Sequence, residues 1–458
     1  MGGNRNPDGV RAEVATEAQL ASYAAAEQQL AAFSAPVLLD LDRPEQRLFI
    51  ASFDGTGNSK QDPGKMTNVA LLDDQLREVA ARYSDQLGYT PIEAGYVEGP
   101  GTQERWLSRT LDKATGASYQ ARLEDMYLQF VTRADRWLKE DPAADIRILV
   151  TGFSRGGEQA AGFTRMVETR GIQNPEGANV RRDQDGQIIG QAVYPQPPLQ
   201  APGRVIQSVV LFDPVGTGKP LEHDRRLAAS VVSGFQITAA DERRNPFPST
   251  SIIDPGVTAD GRFLNVVVAG AHSDIGGGYQ RDGLAVQSGN LAIDYIAAQI
   301  SPSPLEKRSI PHDPEAYVVH RSEQHLAGLY GTSKFERAGE REQIDLLAPP
   351  ILCQLDCRDA MPRNEAMAAS LTWQRVEIGP VPGNRASAND GVFVDRLLGA
   401  ARDGDGASVL EIARERLQGP AGQRWLDSGR AGLAPHAFDP ALRTPDPAQE
   451  MPAPQLER

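Results

Sequence analysis

The feature that most constrains this fold is a repeated unit: a short apolar stretch, a glycine-rich or acidic turn, and then a helical pattern. The apolar stretches are Arg47–Phe53, Pro91–Val97, Ile146–Thr151, Val205–Phe212 and Phe263–Ala269. Continuous apolar runs of this length are typical of strands buried on both faces of a parallel sheet. Strands that alternate with helices predict an α/β fold with a mainly parallel sheet flanked by helices.

The same pattern predicts three regions. Residues 1–46 contain an Ala-rich stretch and form an N-terminal helical extension. Residues 47–300 carry the strand–helix alternation and form the main domain, and a polar, Pro- and Gly-rich excursion interrupts it at residues 169–204. Residues 301–458 begin with a linker-like stretch and end in a Pro-rich tail.

Composition excludes several classes of protein. The formal net charge of −14 argues against a nucleic-acid binder, which needs a basic face for phosphates. No apolar run approaches the roughly 18 residues of a membrane-spanning helix, and the first residues lack a secretory signal pattern. Cys353 and Cys357 are predicted to be free thiols, without a disulfide framework or a metal site. We therefore expect synthesis in a reducing cytoplasm, and any export would use a route that reads no N-terminal signal.

The turn after the strand Ile146–Thr151 reads Gly152-Phe153-Ser154-Arg155-Gly156, a G-x-S-x-G pattern. A serine on a sharp strand-to-helix turn has its hydroxyl exposed above the sheet, and only small residues tolerate the close approach on either side. Gly152 and Gly156 supply that room. The plain alternative is a glycine-rich turn with a helix-capping serine. The strand before the motif and the helix after it favour Ser154 as a nucleophile.

A serine nucleophile needs a base, and the chain has six histidines. His272 directly follows the strand Phe263–Ala269, at the edge of the sheet where Ser154 is expected, and it is the predicted base. His223 lies in a charged loop and is the weaker rival. The others are predicted to be solvated, surface or packing residues: His312, His320, His325 and His436.

The acid that orients the base should end a strand between the serine and the histidine. Asp213 directly follows the strand Val205–Phe212 and fits best. Asp274, two residues past His272, is the alternative. Because that turn is so short, Asp274 is predicted to organise its own loop and not to orient the histidine.

The oxyanion of an acyl-transfer reaction needs two backbone N–H donors. One is predicted to be the amide of Arg155, the residue after the nucleophile, and the other Gly55 or Thr56 in the early turn FDGTGN. Asp54 supports this loop. A phosphate-binding loop is the competing interpretation, but the turn lacks the lysine and the spacing of that motif. Neither a cofactor nor a metal is predicted.

Several short blocks occur in a fixed order, and together they resemble a known family. The blocks are FDGTGN, TNV, EGPGT, GFSRGG, LFDPVG, ADERRNPF and AHSDIGGGY. Over roughly residues 47–300 they resemble the α/β-hydrolase domain of bacterial type VI secretion lipase effectors, the GxSxG phospholipases. The resemblance implies a Ser154–Asp213–His272 triad. The chain departs from the family in Gly157, where alanine is usual, and in its long excursion. Residues 301–458 also do not match the variable membrane-contacting portion of the family.

The family implies attack on the A1 or A2 ester of membrane phospholipids by a toxin delivered into a rival bacterium. It also implies an immunity protein in the producer and a secretion-apparatus component as partners. Two alternatives stay open: a carboxylesterase or thioesterase that acts on soluble substrates with the same triad, and a non-catalytic adaptor of a secretion system. A complete set of triad residues disfavours the adaptor.

An acidic protein should meet an anionic membrane through a local apolar surface. The excursion 169–204 is predicted to form a mobile cover over Ser154 and to supply Ile188, Ile189, Val193 and Tyr194. Residues 301–458 are predicted to form a C-terminal cap or membrane-contacting region. Its apolar candidates are Leu326, Leu329, Tyr330 and the run Ile344–Leu352, for which packing on the core is the favoured alternative.

Overall fold

The computed structural model describes residues 8–55, 60, 66–99, 115–184, 186, 188–216, 222–324, 332, 341–349, 351–352, 364–382, 408, 412 and 414. The chain divides into two compact units, Met1–Asn384 and Arg385–Arg458. All elements below belong to the first unit, and residues 408, 412 and 414 are what is described of the second. Several predicted residues lie outside the described residues: Thr56, His325, Leu326, Leu329, Tyr330, Cys353, Cys357 and His436.

The described chain contains fifteen strands and seven α-helices. The strands are β1 (Ala12–Val14), β2 (Ser34–Pro36), β3 (Leu39–Asp40), β4 (Gln46–Phe53), β5 (Ile92–Val97), β6 (Asp145–Phe153), β7 (Ile206–Phe212), β8 (Val231–Ala239), β9 (Ser249–Thr250), β10 (Gly256–Val257), β11 (Phe263–Val268), β12 (Ile300–Ser301), β13 (Val318–His320), β14 (Gln343–Ile344) and β15 (Trp373–Arg375). The helices are α1 (Glu17–Ala32), α2 (Asn68–Leu87), α3 (Thr115–Glu140), α4 (Arg155–Arg170), α5 (His272–Gly276), α6 (Gly283–Ala297) and α7 (Glu365–Ala369).

Within the described ranges the central sheet has seven strands in the order β10-β11-β8-β7-β6-β4-β5. Every neighbouring pair is parallel except β10 with β11. Helices α1, α2 and α6 pack on one face of the sheet and α3 and α4 on the other. Strand β4 is buried along its whole length, as its apolar run predicts. The predicted fold class, an α/β-hydrolase-like sheet flanked by helices, is confirmed.

One central strand differs from the predicted pattern. Strand β8 lies between β7 and β11, yet its sequence VVSGFQITA is interrupted by polar residues and no strand is predicted there. These polar side chains are buried and paired. Ser233 shares a 2.7 Å hydrogen bond with Tyr295, and Thr238 donates to the side-chain oxygen of Asn265 at 2.9 Å. Partners distant in sequence therefore satisfy this strand.

The strand order brings three strand ends together. Strand β6 lies between β4 and β7, and in register Phe53 is opposite Gly152 while Phe153 is opposite Phe212. The residues that follow these ends are Asp54, Ser154 and Asp213. In parallel sheets this carboxyl edge is where functional residues gather.

Short strand pairs connect the segments outside residues 47–300. Strand β1 pairs with β13, β2 with β15, and β3 with β12. Strand β14 pairs with β9 inside the predicted main domain, and Ser249 of β9 forms a bridge with Val215, two residues after Asp213. Helix α1, the predicted N-terminal helix, begins at a capping box formed by Thr16 and Gln19.

The excursion 169–204 leaves the core at the edge opposite Ser154. Helix α4 runs antiparallel to the strands for 16 residues and returns the chain to their amino ends, where Ile172 pairs with Gln200. The excursion then packs on α3, since the Ala192 N–H points at Glu124 and Tyr194 lies edge-on to Tyr127.

This placement argues against the predicted cover over Ser154. A cover over Ser154 would lie at the carboxyl edge of the sheet, but the length of α4 carries the excursion away from that edge. Of its apolar residues, Ile188 is buried, whereas Ile189 and Val193 are exposed.

No helix in the described ranges is long and apolar enough to span a membrane.

Candidate active site

Ser154 occupies a strained turn between β6 and α4. Its backbone has φ 59° and ψ −128°, and its N–H donates to the Phe212 carbonyl at 3.0 Å. Among the non-glycine residues that the structure describes, only Ser154 and Asp213 (φ 39°) have positive φ. Such conformations are costly for residues with a Cβ and concentrate at functional sites.

The glycines on either side of Ser154 permit this turn. A Cβ on Gly152 would lie 2.5 Å from the Gly156 carbonyl oxygen. A Cβ on Gly156 would lie 2.3 Å from the Phe53 carbonyl oxygen. The start of α4 therefore lies directly against the end of β4, which brings the Asp54–Gly55 turn beside the first helical residue, Arg155.

Asp213 and His272 form a buried pair at this edge. His272 Nδ1 lies 2.6 Å from Asp213 Oδ2, and both residues are buried. His272 is the first residue of α5, just beyond β11. Its ring packs 4.6 Å from the ring of Phe153, the residue before Ser154, and 5.4 Å from that of Phe247. The structure thus brings all three predicted triad residues to one edge.

Burial and charge set the protonation of this pair. Burial lowers the pKa of His272, and the Asp213 hydrogen bond and charge offset that effect only in part. Burial alone would raise the pKa of Asp213, but the charge of Arg341 and the His272 contact outweigh it and lower that pKa. At neutral pH the resting pair is therefore a carboxylate beside a neutral imidazole, the state that a general base requires.

We expect kcat/KM for ester hydrolysis to rise with pH, with the midpoint of this rise below about pH 6.5, the ordinary pKa of histidine. The base is active only when neutral, and the lowered pKa of His272 places its deprotonation below that value. A pH–rate profile on a soluble short-chain ester measures this. A limb centred above pH 7 would contradict the burial argument.

Two further charged residues at this edge were not predicted. Arg341 binds both carboxylate oxygens of Asp213, at 2.6 and 3.0 Å. Glu242 accepts the His272 backbone N–H at 3.1 Å and pairs with Arg244 at 2.9 Å. The block ADERRNPF, which contains Glu242, was a sequence signal for it. Nothing in the sequence around Arg341 marks it.

The Asp54 carboxylate holds the early turn. It accepts the Gly55 N–H at 2.6 Å, the Thr67 hydroxyl at 2.8 Å and the Tyr96 hydroxyl. Burial raises the pKa of Asp54, although these hydrogen bonds act in the opposite direction. The turn that carries Gly55 is therefore fixed by Thr67, the N-cap residue of α2, and by Tyr96 of β5.

Asp274, the alternative acid, belongs to a second histidine cluster. It binds His320 Nδ1 and accepts the Ala271 N–H at 2.8 Å, while His320 Nε2 lies 2.9 Å from Asp8. Tyr279 stacks on the His320 ring at 3.8 Å. His320, predicted as a surface or packing residue, is thus a buried, charge-paired group. His223, the weaker rival base, stacks instead on Tyr119 of α3.

We expect His320→Gln to lower the free energy of unfolding by about 3 kcal/mol at pH 6, the scale for breaking a buried charge pair, and by less at pH 9. Burial alone would lower the pKa of His320, but Asp274 and Asp8 outweigh it and raise that pKa. This stabilisation is fully present below the unfolded pKa of about 6.5 and is lost as pH rises through the raised folded pKa.

Urea unfolding at the two pH values measures the difference, with the same substitution at exposed His312 as the control. An equal loss at pH 6 and pH 9 would show that His320 is not charged in the folded protein.

Within the described ranges, no group of three or more His, Cys, Asp or Glu side chains is arranged to hold a metal ion.

Residues 47–184 match the family described as "T6SS, Phospholipase effector Tle1-like, catalytic domain". The resemblance predicted from the ordered motifs is thereby confirmed. No match was found among curated proteins.

Two solved structures are similar. An uncharacterized protein from Pseudomonas aeruginosa is 16% identical with a TM-score of 0.35, and the match covers 92% of this chain and 66% of that one. An acetyl xylan esterase in an iodinated complex is 13% identical with a TM-score of 0.22, and the match covers 55% of this chain and 94% of that one. The chain thus spans just under two thirds of the Pseudomonas protein.

Proposed function

We propose that this protein is a type VI secretion effector that hydrolyses the A1 or A2 acyl ester of membrane glycerophospholipids through a covalent intermediate on Ser154. The match of residues 47–184 to a phospholipase effector family supports the substrate class. The observation that carries the mechanism is the 2.6 Å Asp213–His272 pair at the same sheet edge as the strained Ser154 turn.

In the proposed reaction the Ser154 hydroxyl oxygen attacks the ester carbonyl carbon while His272 accepts the hydroxyl proton. The resulting oxyanion is held by the N–H groups of Arg155 and of Gly55 or Thr56. Collapse of the intermediate expels the lysophospholipid alcohol, which takes the proton from His272. Water, deprotonated by His272, then releases the fatty acid and restores Ser154.

Asp213 has two roles in this cycle. Its hydrogen bond to Nδ1 fixes the tautomer that leaves Nε2 free to accept the serine proton. Its negative charge stabilises the imidazolium as that forms. This proposal includes two partners. One is the secretion apparatus that exports the protein, and the other is an immunity protein that protects the producer.

A fluorophosphonate probe tests the nucleophile independently of the lipid. It should form an adduct on the tryptic peptide that spans residues 148–155 and contains Ser154. Ser154→Ala should abolish labelling, and Ser303→Ala, at an exposed serine far along the chain, should label like the wild type. Labelling that persists in Ser154→Ala would overturn the assignment.

A further inference from the structure

We infer that Arg341, contributed by the C-terminal segment 341–349, is a positioning residue that keeps Asp213 ionised and aligned while His272 is neutral. The inference rests on the proposed serine mechanism. It extends the active site beyond the matched residues 47–184 and gives part of the unassigned region 301–458 a role in the reaction.

The geometry is that of a planar fork on a carboxylate. Arg341 Nη1 lies 2.6 Å from Asp213 Oδ1, and Nη2 lies 3.0 Å from Oδ2. The same guanidinium donates to the carbonyl oxygens of Ala239, at 2.8 Å, and Phe247, at 3.1 Å. Bidentate pairing of this kind fixes orientation as well as charge.

Each carboxylate oxygen of Asp213 has two hydrogen-bonding contacts in this arrangement. Oδ1 accepts from Arg341 and from the Ala239 N–H at 2.9 Å. Oδ2 accepts from Arg341 and faces His272 Nδ1 at 2.6 Å. With both oxygens held, the carboxylate cannot rotate away from the imidazole, so Arg341 acts on His272 through Asp213.

The charges explain why a cation is needed. Asp213 is fully buried, and a buried carboxylate is costly unless it is paired. His272 cannot compensate it in the resting enzyme, because the base must be neutral. In the described part of the chain, Arg341 is the only permanent cation bonded to Asp213.

The other groups that face His272 compensate one another. Glu242 touches the His272 backbone N–H and is paired with Arg244. These two charges act on the pKa of His272 in opposite directions. Phe153 and Phe247, which pack on the ring, carry no charge.

Without the Arg341 cation, the buried Asp213 charge should be compensated by a proton on the His272 imidazole. His272 would then be protonated, and unable to act as a base, at pH values where the wild type is active.

The segment 341–349 is also attached to the main domain by contacts that do not involve Arg341. Strand β14 pairs with β9, and the Arg225 N–H donates to the Leu347 carbonyl at 2.8 Å.

The test compares Arg341→Gln and Arg341→Lys with a matched control, Arg170→Gln. Arg170 also forms a bidentate pair with a buried carboxylate, Glu124, at 2.7 and 3.0 Å, but at the other end of α4 from Ser154. The first readout is the titration of the His272 imidazole by NMR, assigned by loss of its signal in His272→Gln. The second is the pH profile for hydrolysis of p-nitrophenyl butyrate.

In Arg341→Gln the His272 titration and the acid limb of kcat/KM should move up by at least about one pH unit. Arg341→Lys should keep the wild-type midpoint but lose about tenfold in kcat, because a point charge replaces the fork. Arg170→Gln should lower stability and leave both midpoints unchanged.

An unshifted His272 titration in folded Arg341→Gln would overturn the inference. If that variant does not fold, wild-type kcat in Arg341→Lys would overturn it equally. The NMR readout needs no turnover, so a wild type that hydrolyses no ester would refute the proposed function while this inference is still judged by the titration.

Discussion

Ser154→Ala is expected to reduce ester hydrolysis by at least about 10⁴-fold, the scale on which loss of a triad member acts. The physical reason is that Ser154 carries the only side-chain hydroxyl in the G-x-S-x-G turn that follows β6. Strands β4, β6 and β7 end together at this turn. Helix α4 should remain intact, because the Ser154 side chain makes no capping hydrogen bond to it. Turnover of a soluble short-chain ester measures the loss.

Thermal unfolding provides the control for this prediction. The variant should unfold close to the wild-type temperature, since both residues carry a Cβ into the same positive-φ backbone. A folded Ser154→Ala protein that keeps more than a few per cent of wild-type turnover would show that the nucleophile lies elsewhere.

Asp213→Asn is expected to lower kcat by about 10⁴-fold, as the amide favours the wrong tautomer and cannot stabilise the imidazolium. Asp274→Asn should cost far less activity, because Asp274 binds His320 and the Ala271 N–H and has no bond to His272. Comparison of the two variants on the same soluble ester decides between them. An active Asp213→Asn beside an inactive Asp274→Asn would reverse the assignment.

Both substitutions should also reduce stability, so activities must be compared well below either unfolding transition. Asp213→Asn leaves the buried Arg341 without its carboxylate, and Asp274→Asn leaves His320 with Asp8 alone as a charged partner among the described residues. Uncompensated buried charge typically costs about 3–5 kcal/mol.

The sequence predicts those strands and strand-end residues that a local pattern of apolar residues marks. Strands β4, β6, β7 and β11 are long apolar runs, and the residues that follow β4, β6 and β7 are Asp54, Ser154 and Asp213. Strand β8 was not predicted, because it contains buried polar residues. Their hydrogen-bond partners are Tyr295 and Asn265, which lie too far away in sequence for a local pattern to reveal.

The rest depends on contacts between distant parts of the chain. Arg341 lies 128 residues from Asp213 in sequence, and His320 lies 46 from Asp274. The position of the excursion 169–204 could not be predicted from its own composition, because its direction depends on the length of α4. Arg341 and His320 both come from residues 301–458, for which the sequence offered no recognisable motif.

Mass spectrometry of phospholipid vesicles tests the central claim most directly. Vesicles of phosphatidylethanolamine and phosphatidylglycerol are incubated with the wild type and with Ser154→Ala. We expect equimolar lysophospholipid and free fatty acid from the wild type and neither product from the variant. Intact lipid after incubation with a wild-type protein that hydrolyses p-nitrophenyl butyrate, or equal lipid cleavage by both proteins, would contradict the proposed function.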